Sequence, residues 1–356
     1  MSEPLILAVN PGSMTTKVAL FRGDTEVAAE DLGHGPAELS ACQRLIDQLP
    51  LRKEAVEKFL KKHEGLGHLD ALACRGAPLK PLEGGTYRVG DALVEDIRQG
   101  RLQSPHVSML AALIGHELSV EYGIPAYIVD PISVDEYSPL AHLSGFPEIP
   151  RKSLWHALNC RAVAHRYARE QGRDFDELNL IVAHLGSGIT VVALRNGKAV
   201  DSTDANSEAP FSPERAGTLP MLGFLELCFS GTYKKEELVK KITRGSGLLA
   251  HLGTNDCVEV ERRIAAGDKH AALVYEAMAY FISKTIGGLA AALNGTVDAV
   301  LLTGSLARSK MVTSWISQRV AFIAPVHLYP GQEEMKSLAR AVHEVLSGQE
   351  QEKIYQ

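Results

Sequence analysis

The sequence predicts an α/β protein made of two similar halves, each a mixed sheet flanked by helices. The first observation behind this is a repeat. Residues 5–23 read LILAVNPGSMTTKVALFRG, and residues 180–197 read LIVAHLGSGITVVALRNG. The second is alternation, because short apolar strand segments are interleaved with segments of helical period. The third is scale. The repeat recurs at about half the chain length, whereas solenoid repeats recur every roughly 20–50 residues, so two domains are indicated. A chain of 356 residues is long for one core and comfortable for two.

Each copy of the repeat reads as an apolar strand, a turn containing Gly-Ser, a second strand and a glycine-bearing turn. Those second turns are Arg22-Gly23-Asp24 and Asn196-Gly197, and third short strands follow, TEVAAEDL and KAVDSTD. Aligned with one gap, Leu5-Ile6-Leu7-Ala8 falls on Leu180-Ile181-Val182-Ala183, and Val18-Ala19-Leu20 on Val192-Ala193-Leu194. Helical periodicity then predicts helices over ELSACQRLIDQL, LRKEAVEKFLKKH, SMLAALIGHELSVEY, SLWHALNCRAVAHRYAREQ, DKHAALVYEAMAYFISKTIGGLAAAL and KSLARAVHEVLS. Strands DALACR, AYIVD, AVLLTG and VHLYP are interleaved with them. A linker is expected at residues 138–152, SPLAHLSGFPEIPRK, where three prolines and a glycine break both periodicities. The expected division is therefore a first domain over 1–150 and a second over 151–335. A hinge near 325–337 would return the last helix, 336–356, to the first domain.

Composition excludes several classes. The chain is 45% hydrophobic and 22% charged with a formal net charge of −6, so no basic excess exists to neutralise nucleic-acid phosphates. The apolar run at residues 5–9 lacks a basic flank and a small-residue cleavage site, and reads as a buried strand, not a signal peptide. No stretch approaches the roughly 18 apolar residues of a membrane span. Cys42, Cys74, Cys160, Cys228 and Cys257 are scattered, with no C-x-x-C, as expected of reduced thiols in the cytoplasm.

Neither common nucleotide fingerprint is present. There is no G-x-x-x-x-G-K-[ST], and the G-x-G fragments at 186–188 and 245–247 lack the third glycine of a dinucleotide site. The hairpin turn itself is the candidate phosphate device. Asn10-Pro11-Gly12-Ser13-Met14-Thr15-Thr16-Lys17 combines glycine-freed backbone N–H groups, three hydroxyls and a cation. Gly186-Ser187-Gly188-Ile189-Thr190 repeats the device without the lysine. One such turn alone is most simply an ordinary β-turn; two in equivalent positions of two half-chains are not.

The stretches AVNPGSMTTKVALF, RGAPLKPLEGGTYRV, YIVDPISVDEYSPLA, SLWHALN, VAHLGSGITV, EAPFSPERAG, CFSGTY, GLLAHLGTND, LLTGSLARSKM and FIAPVHLYPGQEEM run in order along the chain. Together they resemble the acetate kinase family, and within it the butyrate branch. That family sits in the superfamily of acetate and sugar kinases, heat-shock ATPases and actin. The resemblance implies two domains of duplicated ribonuclease H-like (actin-like ATPase) fold with an active-site cleft between them, and a homodimer or larger homo-oligomer. It implies reversible, direct in-line transfer from ATP to a short-chain carboxylate, butyrate giving butyryl phosphate and ADP. Mg²⁺ would accompany ATP or ADP. Isobutyrate, propionate or acetate is the alternative acid.

Residue by residue, the resemblance assigns Arg75, Asp130, His184 and Arg215 to catalysis. It assigns Asn10, Ser13, Thr15, Lys17, Gly186, Ser187, Gly188, Gly304 and Ser305 to the phosphate and nucleotide loops. Asn10 and Glu334 would organise Mg²⁺, with Glu333 as the alternative carboxylate. Taken without the resemblance, Lys17 reads equally as a solvated hairpin lysine, and His184 as a core histidine at a strand end. Asp130 also fits a turn cap, and Arg75 and Arg215 fit surface arginines. The chain departs from the family's wording at Ser187, Ser207, Ala209, Thr218 and Ser305, which stand where glycine is usual, and at Arg308, where an aromatic is common. Left-handed backbone at those five positions would cost on the order of 1 kcal/mol each. A catalytically weakened, nucleotide-binding sensor is therefore the rival reading.

Overall fold

The computed structural model describes residues 3–356, which divide into two compact units. The first runs to Asp135 and takes back Glu333–Gln356; the second is Glu136–Gln332. The expected linker at 138–152 thus lies wholly within the second unit. Ser138 donates its N–H to the Val200 carbonyl, and Arg151 binds Asp201 and Glu208. Prolines broke the periodicity there, but these contacts anchor the segment to its following sheet.

In the first unit β1 (Leu5–Pro11), β2 (Thr15–Arg22) and β3 (Thr25–Gly33) form an antiparallel meander. Strand β4 (Ala71–Arg75) pairs parallel with β1, β5 (Thr86–Arg88) is antiparallel to its neighbour, and β6 (Ala126–Val129) is parallel to β4. The short strand Lys353–Ile354 pairs with β5 and completes the sheet. Every residue of β1 is buried because both faces are covered. Leu5, Leu7 and Val9 share a core with Leu110 and Ile114 of the helix Met109–Tyr122. The alternate residues Ile6 and Ala8 face the other way, where the helix Glu334–Leu346 packs with Leu338 and Val342 buried.

The second unit repeats the plan. Strands β7 (Asn179–Leu185), β8 (Ile189–Arg195) and β9 (Lys198–Ser202) form the meander; β10 (Ala299–Gly304) and β11 (Val326–Pro330) extend it in parallel. Ile181 and Ala183 pack with the helices Lys269–Ala292 and Lys310–Val320, while the helix Ala157–Gln171 packs against β7 and β10.

Strand pairing corrects the repeat's alignment by one residue. Arg22 closes onto Thr25 as Arg195 closes onto Lys198, and a bulge follows in each ladder, at Leu20/Phe21 and at Ala193/Leu194. With Arg22 matched to Arg195, Leu5 falls on Asn179 and Asn10 on His184. Strands buried on both faces carry no polar alternation, so the sequence did not mark their register.

Candidate active site

In each unit, polar side chains gather at the carboxyl ends of the parallel strands, where open α/β sheets place their ligands. In the first unit Asn10 lies near the end of β1, Arg75 ends β4 and Asp130 follows β6. Their levels match, since Val9 pairs with Cys74 and Arg75 with Val129. Glu334 opens the helix Glu334–Leu346, whose positive N-terminal end suits a carboxylate. Its Oε2 accepts from Asn10 Nδ2 at 2.8 Å and lies 2.5 Å from Arg75 Nη1. Glu334 rather than Glu333 makes these contacts; the Glu333 carbonyl accepts from Ser337 within the helix.

Asp130 holds a positive φ of 36° directly before Pro131. A left-handed residue before proline is sparsely populated and costs about 1–3 kcal/mol. Two bonds to one residue hold it there. The Asp130 Oδ1 accepts from the Gly85 N–H at 2.8 Å, and the Asp130 N–H donates to the Gly85 carbonyl at 3.0 Å. In the first glycine turn the Gly12 N–H donates to the Thr15 carbonyl at 2.7 Å, and Ser13 is exposed. Lys17 pairs with Asn10 across the ladder, on the same face, and is also exposed.

In the second unit His184 is 1% exposed at the end of β7. Its Nδ1 meets Asn159 Oδ1 at 2.8 Å and its Nε2 meets Gln332 Nε2 at 3.1 Å. The His156 ring stacks on it, with centroids 4.1 Å apart. Asn159 Oδ1 also accepts from the Thr303 hydroxyl at 3.3 Å. This trio matches the first unit's: a residue on the leading strand, one from the first turn of the covering helix, and one on the neighbouring parallel strand. Asn10, Glu334 and Arg75 correspond to His184, Asn159 and Thr303.

The second glycine turn, 186–188, is tied to the loop that carries Arg215. The Ser212 hydroxyl donates to the Ser187 carbonyl and accepts from the Arg215 N–H. Arg215 Nη1 donates to Asn206 Oδ1 at 2.9 Å, and its guanidinium lies over Gly188, where a Cβ would stand 2.7 Å from Cζ. Burial lowers the pKa of Arg215, although a guanidinium stays charged throughout the working range. Gly304 has φ 92°, and a Cβ there would stand 2.3 Å from the Leu185 carbonyl oxygen, so that position demands glycine. Ser305 opens the short 3₁₀ turn that follows.

The five departures from glycine carry no backbone strain. Among the described residues, positive φ at non-glycine positions occurs only at Asp130, Asn196 and Asn294, so Ser187, Ser207, Ala209, Thr218 and Ser305 are all unstrained. Residues that the sequence did not single out as functional include Asn159, His156, Thr303, Gln332 and Arg52. Asn159 and Arg52 did carry a signal, since each is a polar side chain at a buried helical position.

Residues 150–325 match the model of the Acetokinase family. The chain is 49% identical over 352 residues to the probable butyrate kinase 2 of Caldanaerobacter subterraneus subsp. tengcongensis, covering 98% of this chain and 99% of that protein. It is 45% identical over 352 residues to butyrate kinase 2 of Clostridium acetobutylicum, with the same coverage. The crystal structure of acetate kinase from Porphyromonas gingivalis superposes with a TM-score of 0.77 at 19% identity, covering 96% of this chain and all of that one. That likeness is one of fold, the duplicated actin-like ATPase architecture.

Proposed function

The chain belongs to the acetokinase family, and from that premise we propose that it phosphorylates butyrate with ATP, giving butyryl phosphate and ADP. The chemistry is carried by one fixed cation in each unit: Arg75 is held beside Glu334 and Asn10, and Arg215 is held over the second glycine turn. A carboxylic acid of pKa about 4.3 is ionised at neutral pH and needs no general base. The difficulty is bringing one anion to another, so catalysis is positioning and charge neutralisation.

In this reading a carboxylate oxygen forms a bond to the γ-phosphorus as the bond to the β–γ bridging oxygen breaks, and ADP leaves. Arg75 and Arg215 hold carboxylate and phosphoryl oxygens through the planar guanidinium fork. His184 donates to an equatorial phosphoryl oxygen, and Ser13, Thr15 and the N–H groups of both glycine turns hold phosphate oxygens. Asp130 would serve the metal and the γ-phosphate, Lys17 would line the transfer site, and Gly304 and Ser305 would bound the adenosine. Mg²⁺, when bound, neutralises phosphate charge. Asn10 and Glu334 fit it: Nδ2 of Asn10 is spent on Glu334, which leaves Oδ1 as the amide's oxygen donor beside a carboxylate. One carboxylate and one amide oxygen are the hard, sparse donor set of an ion carried largely by phosphates and water.

The weakened-sensor reading drew on strain at the replaced glycines, and none of those positions is left-handed. The decisive assay supplies Mg-ATP and acids of two to five carbons and traps acyl phosphate as hydroxamate. Butyrate is expected to give the highest kcat/KM. Preference for acetate or propionate would change the substrate, and no product with any acid would leave a sensor. We also place the protein in the cytoplasm as a homodimer or larger assembly. Exposed Met221, Leu222 and Phe229 on the helix Met221–Phe229 support association, which light scattering measures.

A further inference from the structure

Arg52, on the helix Leu49–Lys62, is completely buried. Its Nη1 donates to the Thr15 carbonyl and the Thr16 hydroxyl, both at 3.0 Å, and its Nη2 to the Ser13 carbonyl at 3.2 Å. Its Nε and Nη2 also reach Gln48 Oε1, at 3.1 and 2.9 Å. Every one of these acceptors is neutral. Thr16 Oγ1 in turn meets His34 Nε2 at 2.8 Å, and the His34 N–H donates to the Met14 carbonyl at 2.9 Å. Burial and the Arg52 charge both lower the His34 pKa, so His34 adds no second cation at neutral pH.

A buried guanidinium is normally paired with a carboxylate, because a lone charge away from water is expensive. Here it lies directly behind the first glycine turn, and among the described residues no carboxylate is one of its hydrogen-bond partners. The same bonds fix the turn's carbonyls. A trans peptide points its N–H opposite to its C=O, so holding the Ser13 carbonyl also orients the Met14 N–H.

We propose that Arg52 is a positioning residue for nucleotide phosphates: its uncompensated charge, behind the turn of residues 12–16, favours a polyphosphate on that turn without touching it. This rests on the reading of the turn as a phosphate site. The charge is balanced only when the anion arrives, so part of the cost of burying it is recovered on binding.

The test uses the full chain with Arg52→Met, which removes the charge at similar volume, and Arg52→Lys, which keeps charge but loses the fork. Calorimetry would measure Kd for the Mg²⁺ complex of the non-hydrolysable ATP analogue AMPPNP, and for AMP, which lacks the β- and γ-phosphates. Arg52→Met should weaken AMPPNP by about tenfold or more and leave AMP within about twofold. Arg52→Lys should bind AMPPNP within about threefold of wild type although the lost fork lowers its Tm. Equal weakening of AMPPNP and AMP, or no weakening of either, overturns the inference. If Arg52→Met does not fold, Arg52→Lys decides alone: a tenfold loss for AMPPNP would mean that the fork acts and the charge does not. Ser13→Val tests the premise separately. If it leaves AMPPNP binding unchanged, the phosphate-turn reading fails; if it weakens binding while both Arg52 variants do not, only the Arg52 inference fails.

Discussion

What His184 is able to do depends on Asn159. The amide oxygen of Asn159 can only accept, so the bond at 2.8 Å places the ring proton on Nδ1. A neutral ring then offers a lone pair at Nε2, which the Gln332 amide meets at 3.1 Å. To donate to a phosphoryl oxygen Nε2 must itself carry a proton, and Asn159 is the group that leaves Nε2, not Nδ1, for that task. Asn159→Ala removes the acceptor shared by His184 and Thr303. It should cost about 1–3 kcal/mol of stability, as an unsatisfied buried donor does. It should also lower kcat by about tenfold with little change in KM for ATP, as loss of a transition-state contact does. Asn159→Asp, which keeps the acceptor, should retain more activity than the alanine variant. Wild-type kcat in Asn159→Ala, alongside a loss in His184→Ala, would show that the ring needs no such partner. The family resemblance pointed to His184, whereas the residues alone read it as a core histidine at a strand end. Asn159 was not legible as its partner, since the two are 25 residues apart and meet only through the packing of a helix on β7.

Among the elements, the C-terminal tail is held in part through an ionised carboxyl. Tyr355 donates its hydroxyl to Asp96 Oδ2 at 2.7 Å, Glu350 accepts from the Thr86 N–H, and Lys353 binds the Gly84 carbonyl. The tail thereby pins the segment whose Gly85 holds Asp130. The Tyr355 hydrogen bond, helped by Arg101 and Lys80, holds the Asp96 carboxyl below its usual value against the opposing effect of burial. A depressed carboxylate stabilises the fold above its unfolded pKa of about 3.9, and that contribution is lost as pH falls through the folded value. Tyr355→Phe should therefore cost about 1–2 kcal/mol at pH 7. Its Tm deficit against wild type should narrow once the pH drops below about 4. A deficit that stayed constant from pH 7 to pH 3 would assign the effect to packing instead. Elements were legible where pattern and length agreed. AVLLTG and VHLYP form β10 and β11 over the expected residues, whereas ELSACQRLIDQL divides into the helix Pro36–Ala41 and a 3₁₀ turn at Leu45–Gln48. Neither the two-residue strand Lys353–Ile354 nor the helix Lys310–Val320 was foreseen, the first because a pair so short has no period.

At the scale of the whole molecule the chain supplies the two covering helices differently, one next to its unit in sequence and one from the far end of the chain. The helix Ala157–Gln171, which follows the first unit's strands in sequence, lies on β7 and β10 of the second unit. The helix Glu334–Leu346, which follows the second unit's strands, lies on β1, β4 and β6 of the first. The sequence reading expected a hinge near 325–337 that returns the last helix to the first domain, and Glu333–Gln356 group with the first unit. It did not foretell that the second unit begins before the proline-rich segment, because the anchors of that segment, Val200, Asp201 and Glu208, are distant in sequence. The discontinuity of the first unit makes the two unequal as independent folders. Residues 136–332 contain their whole sheet and both of its helical layers, so this fragment should fold cooperatively alone. Residues 3–135 lack the layer over Ile6, Ala8, Ala71 and Ala73, all of them 0% exposed in the intact chain. Leu338 and Val342 on that layer are also 0% exposed, and burying a large aliphatic side chain contributes about 1.5–3 kcal/mol, a large share of a domain's net stability. A fragment of residues 3–135 should consequently bind hydrophobic dye and give poorly dispersed amide resonances. Joining residues 333–356 to it through a flexible linker should restore dispersion and a cooperative thermal transition. A sharp transition in the 3–135 fragment by itself would mean that the meander and the helix Met109–Tyr122 suffice, and that the returning helix serves only to bring Glu334 to Asn10 and Arg75.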